Sequence, residues 1–81
     1  MDYKELIQNE DLGTLVSFRD DMVEKRIERI GEIPWPDESL EVNCCYDALD
    51  AIEILQEIPE EQHLEACQYL NNYITKNIHL L

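Results

Sequence analysis

The sequence predicts an all-α protein, a small bundle of three long helices with room for a short one at the N-terminus, and three observations carry that expectation. Apolar residues recur at intervals of three, four and seven over most of the chain, the spacing that gathers them on one helical face. Only two glycines and three prolines punctuate it. No Asn-Gly or Asp-Gly pair stands between alternating apolar runs, so the usual hairpin signals are missing. At 81 residues the chain makes one domain, 1–81, because a chain of this size buries roughly 60–65% of its unfolded surface, enough for one core but not for a roomy cavity as well. Leu, Ile, Val and Phe supply 23 of the residues, more than the roughly 20% below which high charge implies disorder. The chain is expected to fold.

Each element has its own signals. Asp2 can cap a short first helix running through Leu6 and Ile7 to about Asn9, too short to stand without packing. Leu12, Leu15, Val16, Val23, Ile27 and Ile30 then line one face of a helix from Asp11 to Ile30. Asp11 is placed to cap it, Gly13 weakens its start and Gly31 stops it. On its far side Asp21 and Lys25 stand four apart in the favourable order, whereas Glu24 and Glu28 repel. Ile33-Pro34-Trp35-Pro36-Asp37 cannot be helix interior, since the prolines lack donors and restrict the residues before them. Asp37 or Ser39 can cap a third helix to about Glu57, with Leu40, Cys45, Ala48, Leu49, Ile52 and Leu55 toward the core. Leu40-Val42-Cys44 also alternates like a short strand. A last helix starts at Pro59, gains from Glu60 and Glu61 at its N-terminus, and reaches about Asn77, burying Leu64, Cys67, Leu70, Ile74 and Ile78.

Charge bounds the function. Nineteen Asp and Glu against six Lys and Arg give a formal −13, which opposes nucleic acid and anionic membrane as ligands and points to a basic protein partner. No apolar run approaches the roughly 18 residues that span a bilayer, and Met1-Asp2-Tyr3-Lys4-Glu5 lacks the basic and apolar regions of a signal peptide. Three cysteines, two of them adjacent, do not make the even, spaced framework of a small secreted fold. A cytoplasmic protein with reduced thiols is expected.

The charges are also partitioned. Between Ile30 and Thr75 stand eleven acidic residues and no Lys or Arg, while Arg19, Lys25, Arg26 and Arg29 share the second helix. If the third helix runs to Glu57, then Asp50, Glu53 and Glu57 fall within about 60° of one another on the side away from Leu49 and Ile52, with Asp47 flanking them. Glu60 and Glu61 extend the series. Such a row, with carboxylates roughly 5–6 Å apart at Cβ and no cation between them, destabilises the helix by a few tenths of a kcal/mol per pair. It is either a solvated face or a docking surface. Tyr46 beside it and Trp35 in the Pro-Trp-Pro turn are candidate anchors for a partner, since both bury large area at low entropic cost. The alternative for Trp35 is to close the end of the bundle, and Tyr69 and Tyr73 fit the edge of the core.

Metal and catalytic patterns are weak. Cys44, Cys45, His63 and Cys67 offer one i, i+4 His/Cys pair, but adjacent cysteines diverge by about 100° on a helix, no Cys-x-x-Cys is present, and Cys45 and Cys67 fall on core faces. No metal, cofactor or enzyme activity is expected, as no phosphate loop, nucleophile elbow or His-Glu-x-x-His occurs. Glu38-Ser39-Leu40 opening a helix and Glu57-Ile58-Pro59-Glu60 near its end resemble the acyl carrier protein family, whose modified serine lies in Asp-Ser-Leu at a helix start. That resemblance covers two short motifs and implies a carrier role for Ser39. Glu38 replaces the family's Asp, two cysteines follow, and the Asp11–Ile30 helix is longer and more basic than its counterpart.

The functional expectation is therefore a small acidic inhibitor that occludes a basic partner, either an immunity protein or antitoxin against a nuclease toxin, or a phage protein that imitates nucleic acid against a host protein. The competing expectation is a helical adaptor or oligomerisation module, monomer or homodimer, with Ile78-His79-Leu80-Leu81 as the leftover apolar patch.

Overall fold

The computed structural model describes residues 2–29 and 40–81 of the chain. Among them every regular element is helical, and none is a strand. Four α-helices follow one another in these residues: α1 (Tyr3–Asn9), α2 (Leu12–Glu28), α3 (Leu40–Ala51) and α4 (His63–Asn77). Short 3-10 turns at Ile54–Glu57, Glu60–Gln62 and Ile78–Leu80 complete the order. Ile30, the stop at Gly31, the Pro34-Trp35-Pro36 turn, the candidate caps Asp37 and Ser39, and with them Glu38-Ser39 of the first carrier motif, lie outside the described residues.

The two N-terminal caps form as their sequences dictate. Asp2 accepts a hydrogen bond from the Glu5 N–H at 3.0 Å and starts α1. Asp11 accepts from the Thr14 N–H at 3.0 Å and starts α2, satisfying a donor that has no partner within the helix. Gly13 has a use here: a Cβ at this position would stand 3.0 Å from Asp11 Oδ2, the oxygen that makes the cap.

Helix α3 is the centre of the bundle. Val42, Asn43, Cys44 and Cys45 are four consecutive buried residues, a pattern no single-faced surface helix shows. It packs against α2 and α4, while α1 lies on α4 and on the 54–57 turn. Its strand-like alternation at Leu40-Val42-Cys44 reflects burial on more than one side, not a strand. Ile7 of α1, Leu15 of α2, Cys45 and Leu49 of α3, and Cys67, Leu70 and Ile74 of α4 are fully buried together.

Three expectations fail on burial. Ile27, next to the last residue of α2, is 61% exposed. Ile78 is 45% exposed, since α4 gives way to a 3-10 turn at that residue and the periodicity of its core face ends. Leu64 is half-buried, and Ala66 takes the fully buried place beside Cys67.

The largest departure is the end of α3. The helix stops at Ala51 and does not continue to Glu57. Glu53 has φ 65°, ψ 12°, a left-handed conformation that turns the chain and lets Ile54, Leu55 and Ile58 point into the core. Continuing as a helix would have left part of that apolar run outside. For a residue with a Cβ the left-handed region costs on the order of 1–2 kcal/mol. Glu53→Gly is accordingly expected to stabilise the fold by up to about 1 kcal/mol, read as a higher urea midpoint at unchanged slope; a lower midpoint would mean that the Glu53 side chain holds the turn.

Candidate functional site

The acidic residues singled out in the sequence end up in two different situations. Asp47 is not part of an open acidic row: it accepts from Arg26 Nε at 2.9 Å and from Arg26 Nη2, and both donors converge on the one oxygen Oδ2. Arg26 comes from α2, so the α2–α3 contact brings a cation to a stretch that has none of its own. That correction was not visible along the chain.

Asp50, Glu53, Glu57, Glu60 and Glu61 are exposed, and none has an ion-pair partner among the described residues. They do not share one helical face as the sequence suggests, because α3 ends before Glu53. Instead they stand along the connection from the end of α3 to the start of α4. The connection is anchored from beneath by Ile54, Leu55 and Ile58, which belong to the core. His63, the first residue of α4, adds a crosslink: its Nε2–H donates to the Leu55 carbonyl at 3.0 Å. The carboxylates are thus presented on backbone held by packing and by a hydrogen bond, with their charge toward solvent.

The aromatic candidates divide. Tyr46 is half-buried, packs on the core and lies 6.1 Å ring to ring from His63, so its bulk serves the α3–α4 contact. Trp35 lies outside the described residues. Tyr69 and Tyr73 stack at 6.0 Å, Tyr3 meets Tyr69 edge-on at 5.9 Å, and Gln8 Nε2–H donates to the Tyr69 hydroxyl at 2.7 Å. These rings fasten α1 to α4 at the edge of the core, as their position on the last helix implied.

The cysteines are interior. Cys44, Cys45 and Cys67 are free thiols with no exposed surface. Among the described residues no group of three or more His, Cys, Asp or Glu side chains is placed to hold a metal ion. Burial pushes the Cys45 thiol up to about 12, with nearby Cys67 adding to the effect, and burial also raises Cys44 despite the Arg26 charge beside it. The unfolded thiols titrate near 9.0, so the stability these groups contribute is intact below about pH 9 and is lost as pH rises toward 12. The urea midpoint is expected to fall between pH 8.5 and 11, and a thiol-specific reagent at pH 8 to label the cysteines only after denaturation. Rapid labelling of the native protein would show that α3 and α4 open readily.

One feature has no counterpart in the sequence reading. Met22, Lys25, Arg26 and Arg29 of α2, together with Asp47 of α3, line a cleft of about 330 Å³. Half of the chain's six cations meet there. The spacing 22, 25, 26, 29 follows i, i+3, i+4, i+7 and was available as a signal, masked by the acidic residues interleaved on the same helix.

No helix among the described residues is long and apolar enough to cross a membrane. Comparison of the chain with protein-family models, curated proteins and solved structures finds no match.

Proposed function

We propose that this protein is an acidic binding protein that docks a basic protein through the α3–α4 connection and occludes the partner's cationic surface. The observation that carries the reading is the set of exposed carboxylates at positions 50, 53, 57, 60 and 61, without ion-pair partners among the described residues, on a connection anchored by Ile54, Leu55 and Ile58. A charged surface held in place loses little entropy on binding, and one sign of charge over a short stretch steers a partner of the opposite sign. Part of the cation-free stretch has a plainer origin, since buried α3 has little room for Lys or Arg. The exposed connection after it has no such constraint.

A partner of this kind fits an immunity protein or antitoxin that neutralises a nuclease toxin. Imitation of nucleic acid is the less supported form, because the regular helical row that would mimic successive phosphates is interrupted at Glu53. The test is capture from a lysate of the native host at low and high salt, with the protein as bait. A basic nuclease or nucleic-acid-binding protein released by salt supports the reading. Failure to retain any basic protein at low salt counts against it.

Exposed Leu80 and Leu81, 68% and 67% accessible, with Ile78 beside them, favour a second reading as an oligomerisation module. Deleting Leu80 and Leu81 is then expected to lower the mass in sedimentation equilibrium. An unchanged mass removes that reading.

A further inference from the structure

We propose that Cys45 and Cys67 are a latent redox pair, which a hydroperoxide converts into a disulfide that staples α3 to α4. The pair needs no partner protein, so it stands apart from the function proposed above.

Of the three thiols, packing singles out these two. Cys44 and Cys45 are neighbours on α3 and diverge by about 100°, so a bond between them would require the helix to unwind. The charges that act on Cys44 are first those of Arg26 and Asp47, the pair that joins α2 to α3. The group that acts on Cys45, after burial itself, is Cys67. Cys45 and Cys67 belong to the same core cluster, and their helices pack against each other. Small side chains line both helices at this depth: Cys45 and Ala48 on α3, and Ala66 and Cys67 on α4, have no exposed surface. Small residues let helix backbones come close, and closeness is what a disulfide needs, with Cα atoms roughly 4.4–6.8 Å apart.

The chemistry takes two steps. One thiol attacks hydrogen peroxide, the O–O bond breaks, and a sulfenic acid and one water form. The second thiol then attacks that sulfur, the S–S bond forms, and a second water leaves. The protein loses two hydrogens and the peroxide gains two electrons. Burial keeps both thiols from the oxidant while the helices are packed, so the reaction waits on the opening of α4 from α3. The bond, once made, closes a ring around residues 46–66, restricts the unfolded chain and opposes the opening that allowed it. Asp50, Glu53, Glu57, Glu60 and Glu61 all lie inside that ring, so oxidation ties the acidic connection at both ends.

The probe is hydrogen peroxide in modest excess, applied to the folded full chain at neutral pH, followed by alkylation in denaturant, cleavage after glutamate and mass spectrometry. A monomer lighter by two hydrogens is expected, with one cysteine left to alkylate and fragment 42–53 joined to fragment 66–81. Its thermal midpoint is expected to rise by about 5 °C or more and to return on reduction. Cys44→Ala is expected to keep the cross-link and the rise, and Cys67→Ala to lose both. Should Cys67→Ala fail to fold, the fragment map of Cys44→Ala decides, since only Cys45 and Cys67 remain in it. An unchanged mass, a sulfinic acid without a cross-link, a disulfide through Cys44, cross-linked dimers, or a lower midpoint would overturn the assignment.

Discussion

Reversal of Glu53, Glu57, Glu60 and Glu61 to lysine is expected to abolish capture of a basic partner at low salt and to leave the helical circular dichroism spectrum unchanged. The four substitutions move the formal charge from −13 to −5, a change of eight concentrated on one connection. All four side chains are exposed and none is ion-paired with a described residue, so their removal leaves no buried group unsatisfied. Electrostatic steering raises association rates from roughly 10⁵–10⁶ toward 10⁸–10⁹ M⁻¹s⁻¹, and its reversal is expected to slow association of a basic partner by at least about a hundredfold. A control spreads the same charge change elsewhere: Asp20, Asp21, Glu24 and Glu28 to lysine gives the same net −5 while sparing the connection. If both variants lose the partner equally, total charge and not the connection governs binding. If neither does, the docking surface lies elsewhere.

The second large effect concerns the core. Leu49 is fully buried in the central helix, and Leu49→Ala is expected to destabilise the protein by about 2–5 kcal/mol through lost transfer energy and the cavity left behind. Against a total stability on the order of 5–15 kcal/mol, that lowers the thermal midpoint by roughly 10–30 °C in a domain this small. Ile27→Ala provides the contrast. Both residues lie on apolar stripes with helical spacing, yet Ile27 is 61% exposed and its truncation is expected to shift stability by no more than about 0.5 kcal/mol. Thermal denaturation of the two variants side by side tests the arrangement of the bundle. Similar losses would mean that the C-terminal end of α2 is covered in solution, by a second copy or a ligand.

Both variants also bear on what could be read along the chain. The starts of α1 and α2 were legible at Asp2 and Asp11, because a cap is a local event: a carboxylate reaching an N–H three residues on needs nothing from the rest of the fold. The core face of α4 was legible through Cys67, Leu70 and Ile74, since its periodicity is unbroken. The end of α3 was not. Ile52 and Leu55 continue the apolar spacing, Glu and Gln favour helix, and neither Gly nor Pro intervenes before Pro59. What ends the helix is the burial of Ile54, Leu55 and Ile58 against α1 and the core, a gain large enough to hold Glu53 at positive φ.

The candidate site shows the same division. Composition and local spacing set the sign of the charge, the helical architecture of the described residues and the acidic content of the residues after α3, since these follow from side-chain chemistry and sequence pattern. Which carboxylates remain without a counterion among the described residues was settled by packing. Arg26 and Asp47 are 21 residues apart and meet only because α2 lies against α3. Their contact removes Asp47 from the acidic surface, leaves the carboxylates from Asp50 to Glu61 as its exposed part, and builds a cation-lined cleft in a protein of charge −13. Charges attract through space, not along the sequence, and the distance that counts is the one set by helix packing.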